Sequence, residues 1–269
     1  MITNGSSKRL SGTFWLWIAA LAGFCHPVGA LSAEDEYDAL QRQAAQYTVQ
    51  IQRSPKQAGL YVKRGQIYFE LHQFDKAIDD YDRALRLDDH QDEAYFGRGL
   101  ARGRYGLIEE GIADLTVYLH RHPDSSRGYT KRGVRYLWLG DVPHARNDLE
   151  KAIALDPRNA EAHDDLGVVL ARQGDMQRAI ENFSATVRID PSYQKGHHNL
   201  AMAYFIAGQD ALALISVNNS LKLAPQARNS LLLKAQILKA LGRTKEAQAI
   251  KEQAEFLPEG NWSERIPVQ

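Results

Sequence analysis

Residues 126–159 read SRGYTKRGVRYLWLGDVPHARNDLEKAIALDPRN, and residues 160–193 read AEAHDDLGVVLARQGDMQRAIENFSATVRIDPSY. The two stretches carry a glycine, an alanine and a proline at matching places, and the same 34-residue phase continues on both sides of them. The residues in phase are Gly106, Gly140, Gly174, Gly208 and Gly242; Pro123, Pro157, Pro191 and Pro225; and Ala77, Ala145, Ala179, Ala213 and Ala247. Self-similarity at this period is typical of an array of helix–turn–helix repeats.

The period divides most of the chain into six units. They are residues 58–91, 92–125, 126–159, 160–193, 194–227 and 228–261, and position 1 is the first residue of each unit. Helix A is expected over about the first 14 positions and helix B from about position 18 to 31. Glycine at position 15 can take a positive φ and end helix A, and proline at position 32 ends helix B. We therefore predict an all-α fold.

Composition and charge limit the classes of function. The chain has 269 residues, of which 44% are hydrophobic and 25% are charged, as in an ordinary globular protein. Its formal net charge is zero, so it lacks the basic surface that nucleic-acid binding usually requires. In a repeat array each unit contacts only its neighbours, which predicts one elongated solenoid.

Residues 1–33 have the order of a secretory signal peptide. Lys8 and Arg9 precede an apolar run at 13–24, and small residues follow before the acidic residues that begin at Glu34. The run is too short for a typical membrane-spanning helix, which needs about 20 residues. We expect cleavage after Ala30 or Ala33 and export, to the periplasm of a bacterium. The alternative is an uncleaved segment that anchors the protein in the membrane.

The one cysteine, Cys25, directly follows this apolar run. A bacterial lipoprotein signal has a small residue before its cysteine, whereas Phe24 stands there in this chain. We expect Cys25 to be unmodified and removed with the signal. The mature chain would then have no disulfide, thiol nucleophile or zinc–thiolate site.

The repeated residues resemble those of the tetratricopeptide repeat (TPR). The pattern has an aromatic residue at position 4, Gly or Ala at 8, Tyr or Leu at 11, Ala at 20, Tyr, Phe or Leu at 24, and Pro at 32, and it covers residues 58 to about 258. The resemblance implies a right-handed superhelix of antiparallel helix pairs. It also implies a concave face, lined by the A helices, that binds a protein or peptide.

The two ends depart from the repeat. Residues 34–57 are expected to form an N-terminal capping helix that ends near Pro55, and residues 262–269 to form a disordered tail.

Arginine and aspartate occur together in the first three units. Arg64, Arg98 and Arg132 occupy position 7, and Asp80, Asp114 and Asp148 occupy position 23. Units 4 and 5 have neither residue at these positions. Because an unpaired guanidinium between two helices would be costly, we predict structural ion pairs that join helix A to helix B. The alternative is surface charge inherited from one duplicated unit.

The resemblance places positions 2, 5, 9 and 12 of each helix A in the concave groove, with position 6 beside it. The candidate partner-binding residues are Val62, Gln66, Phe69, Phe96, Leu100, Thr130, Val134, Leu137, Val168, Met202 and Phe205. The alternative role for some of them is packing of one unit against the next.

Charges near this groove are divided along the array. Lys63, Arg104, Arg127 and Lys131 lie on units 1–3, and Glu161, Asp164 and Asp165 lie on unit 4. Some tetratricopeptide repeat proteins clamp the C-terminal carboxylate of a peptide. Arg127 and Lys131 match one part of that clamp, but Val62, Gln66 and Gly97 do not match the rest.

Motifs for catalysis are missing from the sequence. It contains no GxxxxGK[ST] and no HExxH stretch. His163 and His197 share position 4, where the aromatic residue of the pattern stands, and His120-x-His122 lacks a nearby third ligand. We predict no catalytic residues, no metal site, no cofactor and no small-molecule substrate.

The sequence therefore predicts a non-catalytic scaffold that binds a protein or peptide in its concave groove, in the assembly of a bacterial envelope complex. The alternatives are an accessory subunit of a polysaccharide or cell-wall enzyme, and a membrane-tethered scaffold. The identity of the partner, the pathway and the oligomeric state stay open.

Overall fold

The structure, a computed structural model, describes residues 33–257 and shows thirteen α-helices and no strand in that range. They are α1 (Ala33–Arg53), α2 (Ala58–Glu70), α3 (Phe74–Leu87), α4 (Asp92–Tyr105), α5 (Ile108–Arg121), α6 (Ser126–Leu139), α7 (Val142–Leu155), α8 (Ala160–Arg172), α9 (Met176–Ile189), α10 (Gln194–Ile206), α11 (Asp210–Leu223), α12 (Arg228–Ala240) and α13 (Thr244–Glu255). The fold is all-α, a right-handed superhelical solenoid of antiparallel helix pairs, as predicted.

The chain divides into two compact units. The first, Met1–Ala39, contributes only the beginning of α1 to the described residues. The second, Leu40–Gln269, contains the rest of α1 and the helical array. The predicted signal segment, apart from its last residue, and the predicted tail lie outside the described residues. Within residues 33–257, no helix combines the length and the apolar character that crossing a bilayer requires.

The helix bounds follow the 34-residue period. Helices α2, α4, α6, α8, α10 and α12 begin at the first residue of each predicted unit. Side chains cap several helix N-termini: Ser125 accepts a hydrogen bond from the backbone N–H of Gly128, and Asn159 accepts one from Ala162. The five glycines at position 15 all have positive φ, and His72 takes the same conformation in the first unit.

Large side chains on each helix B fill the space against small residues on helix A. Tyr81, Leu115, Leu149 and Phe183 at position 24 are almost fully buried. A Cβ atom added to Gly167 would lie only 2.6 Å from the ring of Phe183, so the close approach of α8 and α9 depends on the missing side chain. The core is thus a series of small clusters along the array.

Helix α1 continues the register of the B helices. Tyr47 lies one period before Tyr81, and Pro55 lies two periods before Pro123. Ile51 packs with Tyr47 against α2, and the Tyr61 hydroxyl donates a hydrogen bond of 3.1 Å to the Pro55 carbonyl. The helix ends at Arg53 where the capping segment was predicted to extend to residue 57. The part of α1 from Leu40 onward therefore packs as an unaccompanied helix B.

Candidate functional site

The A helices form the inner side of the array. The backbones of consecutive A helices approach each other closely all the way from α2 to α12, whereas those of consecutive B helices from α3 to α13 lie further apart. A stack in which one layer is drawn together and the other is spread apart must curve toward the first layer. The side chains of the A helices that point away from the B helices therefore line the concave face.

The three Arg–Asp sets lie between the helices of one unit and not on this face. In each set the guanidinium donates through Nε and Nη2 to both carboxylate oxygens of the aspartate: 2.8 and 2.7 Å for Arg64 and Asp80, 2.9 and 2.6 Å for Arg98 and Asp114. Arg132 and Asp148 show the same contacts, both at 2.8 Å. This is the two-pronged geometry for which arginine is suited.

Each of these arginines also reaches the helix B of the preceding unit. Their Nη1 atoms donate to Thr48 at 2.9 Å, to Asp82 at 2.6 Å and to Thr116 at 3.1 Å. The three acceptors are one period apart. The hydrogen bond to Asp80 outweighs the effect of burial and raises the pKa of Arg64 above its ordinary value, so the charge is retained.

The predicted groove residues differ in how much surface they expose. Met202 is 41% exposed and Gln66 is also exposed, and the half-buried members are Phe69, Leu100, Val168 and Phe205. The buried members are Val62, Phe96, Thr130, Val134 and Leu137. Only the exposed and half-buried members offer substantial surface to a partner.

Position 5 lies at the joint between units, which the sequence did not show. Thr130 is 1% exposed, donates to the Ser126 carbonyl and accepts a hydrogen bond of 3.0 Å from Asn159, the N-cap of the next helix A. The Arg127 guanidinium of the next helix A covers the ring of Phe96 at 4.0 Å. Thr130 and Phe96 therefore hold neighbouring units together, and the assignment of Thr130 to the open groove needs correction.

The N-terminal halves of the inner helices carry a paired-charge row. Arg127 donates to Glu93 at 2.7 Å, and Lys131 pairs with Glu161. Further along, Lys195 lies 2.9 Å from Asp164 and 3.4 Å from Asp165. Every one of these contacts joins one helix A to the next.

Burial in this row disfavours a charged amine, but the carboxylates of Asp165 and Asp164 outweigh it and raise the pKa of Lys195. Lys195 is therefore charged at neutral pH. Because Arg127 and Lys131 already contact Glu93 and Glu161, the two residues that match the carboxylate clamp are engaged within the array.

A pocket of about 290 Å³ opens on the inner face where α6, α8 and α10 meet. Val134, Leu137 and Trp138 form one side, Val168 and Arg172 lie along α8, and the opposite side is polar. The polar lining consists of Glu161, Asp165, Tyr193, Lys195 and Asn199. This arrangement offers apolar, aromatic and charged contacts to a bound segment.

The sequence analysis missed Trp138 and Arg172. Both occupy position 13, one helical turn after position 9, and side chains four residues apart share a helix face. A groove prediction that also included position 13 would have contained both residues.

The histidines of position 4 have a structural role. His163 Nε2 lies 3.2 Å from the carbonyl of Pro157, and His197 Nε2 lies 3.0 Å from the carbonyl of Pro191. Tyr61 makes the same contact with Pro55. Each ring therefore ties helix A to the proline turn that precedes it.

Two further histidines lie beside acidic residues. His122 Nε2 lies 2.8 Å from Asp92 within unit 2, where the end of α5 meets the start of α4. His90 forms a surface group with Asp88 and Asp89 that is close enough to share an ion, but exposed acidic groups of this kind are common without one.

Comparison with known proteins identifies the repeats. Family models described as "TPR repeat" and "Tetratricopeptide repeat" match residues 54–106 and 130–193. These two stretches of the array are therefore similar to tetratricopeptide repeats. Proteins with such repeats typically mediate protein–protein interactions and are generally non-catalytic scaffolds.

Individual similarities are more distant. The chain is 26% identical over 97 residues to heat shock protein STI1 of Saccharomyces cerevisiae, a match that covers 36% of this chain and 16% of that protein. The curated relatives it matches are thus covered over about a sixth of their length.

Solved structures share the fold. A chain in the crystal structure of the APC/C hetero-tetramer Cut9-Hcn1 has a TM-score of 0.68 at 20% identity, with 81% of this chain and 44% of that chain covered. YrrB, described as a TPR protein with an unusual peptide-binding site, has a TM-score of 0.52 at 22% identity, with 70% and 97% covered.

Proposed function

We propose that this protein is a non-catalytic scaffold that holds a segment of a partner protein along the inner face of its array. The observation that carries the proposal is the pocket between α6, α8 and α10, where the half-buried Trp138 and Val168 lie beside charged side chains. The helices around it pack against neighbours on both sides, so little conformational entropy is lost on this side of the complex.

We propose the cellular location of the scaffold from the residues that precede Glu34. A basic start, a short apolar run and small residues support export into a bacterial envelope, where the scaffold would serve in the assembly of a complex. Mass spectrometry of the N-terminus of the protein purified from cells tests this. Cleavage after Ala30 or Ala33 supports export as a free protein, and an intact N-terminus supports a membrane-tethered scaffold.

Photo-crosslinking tests the use of the inner face. A benzoylphenylalanine placed at Met202, which is 41% exposed in the groove, should give discrete adducts with a partner in cells. The same residue placed at Lys151, exposed on α7, serves as the control and should give none. Absence of adducts from Met202, or equal adducts from both sites, would contradict the proposal.

A further inference from the structure

The outer surface of the array changes its chemistry at α11. Positions 19 and 22 of each helix B lie on the side that faces away from helix A, and both are exposed in each of the six units. In unit 5 these positions hold Leu212 and Ile215, which are 44% and 59% exposed. The other units hold Lys76 and Asp79, Glu110 and Ala113, His144 and Asn147, Arg178 and Glu181, and Glu246 and Ala249. A pair of large apolar side chains at this place is thus particular to unit 5 among the described units.

The apolar surface continues along the outer side of α11. Leu223 is 44% exposed and follows Leu212 by eleven residues, or about three helical turns, so both lie on one face. The inner side of the same helix is buried through Ala213 and Val217. A helix that is apolar on opposite sides is normally covered on both. The outer face of α11 is therefore a surface that a partner is expected to cover.

Acid–base pairs flank this surface on the two neighbouring B helices. At the start of α9, Arg178 Nη1 lies 3.7 Å from Asp175. At the start of α13, Arg243 Nη2 lies 2.7 Å from Glu246. The two pairs occupy the same positions, 16 and 19, but the acid comes first at α9 and the base comes first at α13. All four side chains are more than a third exposed, so the outer face of α11 lies between two exposed dipoles of opposite direction.

Nearby charges do not cancel this opposition. Arg178 also lies 4.0 Å from Glu150, but Glu150 accepts a hydrogen bond of 2.8 Å from Arg146, so the last two charges balance each other. Glu181 is exposed one turn further along α9, and Lys245 is exposed in the first turn of α13. With these two included, the start of α9 carries one net negative charge and the start of α13 carries one net positive charge.

We propose that a second copy of this chain docks on the outer face of α11, about a two-fold axis that runs along the helix. Such an axis exchanges the two neighbours of α11, so the start of α9 in one copy meets the start of α13 in the other. Leu212 and Ile215 of both copies form the apolar centre of the contact. On either side an acid–base pair meets a base–acid pair, so each charge faces one of opposite sign. Because the outer faces meet, the inner face of each copy stays accessible.

Sedimentation velocity of the full chain, measured from about 1 to about 100 µM, tests the contact. We expect a monomer–dimer equilibrium in this range. Ile215→Lys should weaken dimerisation about 100-fold, since it removes an apolar side chain from each copy and places two like charges near the axis. Circular dichroism should show an unchanged fold for this variant, because Ile215 is exposed.

Val117→Lys is the matched control. Val117 is an apolar residue of another helix B, α5, and is 36% exposed. The variant gains the same charge away from α11 and should sediment like the unmodified protein. Association that survives unchanged in Ile215→Lys, or that is lost equally in both variants, would overturn the proposal.

Exchange of charges tests the direction of the axis. Arg178→Glu and Glu246→Arg each set like charges against each other in a dimer of identical copies, and each should weaken it about tenfold. An equimolar mixture of the two variants should recover dimers, because each like-charge contact is then replaced by one between opposite charges. A mixture that stays as monomeric as its two components would overturn this arrangement.

Other occupants of this face give different results. A protein that is monomeric at every concentration and binds phosphatidylcholine vesicles through Ile215 would assign the face to a membrane and overturn the second copy. A monomer that does not bind vesicles would overturn it as well, and would leave the face to a different protein. The inner groove is tested separately, by the crosslink at Met202.

Discussion

The first three units and the next two close the same helical hairpin in different ways. In units 1–3 an arginine at position 7 donates to an aspartate at position 23, with contacts of 2.6–2.9 Å. In units 4 and 5, Leu166 and Leu200 take the place of the arginine and are 5% and 6% exposed. The same packing of helix A against helix B can thus be held either by an arginine–aspartate hydrogen-bonded pair or by a buried leucine.

The difference extends beyond the single hairpin. The arginines also reach Thr48, Asp82 or Thr116 on the preceding helix B, and a leucine cannot do this. In unit 4 the residue at position 23 is Asn182, whose Oδ1 lies 3.0 Å from His163 Nδ1 and whose Nδ2 donates to the Arg178 carbonyl at 2.9 Å. Position 7 of the first region therefore makes a polar contact with the preceding helix B that the leucines of the second region do not make.

Breaking one Arg–Asp pair should have the largest effect. Arg132→Leu leaves the carboxylate of Asp148, which is 6% exposed, buried without its partner, and should lower the free energy of unfolding by about 4 kcal/mol. The double variant Arg132→Leu with Asp148→Leu should recover to within about 1 kcal/mol of the original, because it leaves no buried charge without a partner. Urea denaturation followed by circular dichroism measures both.

The control for this cycle is Arg243→Leu. Arg243 pairs with Glu246 at 2.7 Å on the exposed surface at the start of α13. Arg243→Leu should therefore lower the free energy of unfolding far less than Arg132→Leu does. Additive effects of the Arg132 and Asp148 substitutions would show that the two residues do not act as a pair.

Acidic pH should weaken the second region more than the first. His198 is 6% exposed, and its Nδ1 lies 3.0 Å from the Ser230 hydroxyl, which in turn lies 3.0 Å from Ser220. Burial lowers the pKa of His198 from 6.5 to about 4. Between pH 6.5 and pH 4 the imidazole of His198 is therefore protonated in the unfolded chain and neutral in the folded chain. The stability that the neutral, buried His198 contributes is complete above pH 6.5 and is lost as the pH falls toward 4.

The expected loss at this site is about 3 kcal/mol between pH 7 and pH 4. It is measured as the difference in unfolding free energy between the unmodified protein and His198→Gln. Hydrogen bonds from Arg121 and from the His144 backbone lower the pKa values of Asp92 and Asp141, whereas burial raises the pKa of Asp80. Both proteins share these carboxylates, so the difference between them isolates the contribution of His198. An identical pH dependence in His198→Gln would exclude this histidine as the cause.

Exchange of small residues compares the two regions at their closest helix contacts. Positions 8 and 20 are Gly99 and Gly111 in unit 2, but Ala201 and Ala213 in unit 5. A Cβ added at Gly111 would lie 2.7 Å from the backbone oxygen of Gly99, so Gly111→Ala should destabilise by about 1 kcal/mol despite the better helix propensity of alanine. Ala213→Gly should also destabilise, by about 1 kcal/mol. A stabilising effect of Gly111→Ala in thermal melts would show that α4 and α5 can separate at no cost.

The periodicity predicted the all-α fold, and the resemblance to the tetratricopeptide repeat added the right-handed superhelix of antiparallel helix pairs. The starts of the A helices, from α2 to α12, coincide with the predicted unit starts. Backbone rules operate within one unit, so a glycine or proline at a fixed position is enough to place a turn. The residues of the groove were harder to predict from the sequence, because their exposure depends on contacts between units. Position 5 is the clearest case: the sequence places Thr130 in the groove, whereas in the structure Asn159, the N-cap of the next helix A, covers it.

The smallest expected effect concerns the turn of the first unit, where His72 has a φ of +57° and the later units have glycine. The left-handed conformation costs a residue with a Cβ about 1 kcal/mol, and His72→Gly removes that cost while giving up entropy and an edge contact of 5.7 Å with Phe74. We expect a net gain of about 0.5 kcal/mol, measured by thermal melting. The reverse exchange, Gly140→His in unit 3, should lose stability, because φ is +83° there and nothing lies within 4 Å to receive the ring. If both substitutions destabilise, the contact with Phe74 outweighs the strain, and the first turn is adapted to its histidine.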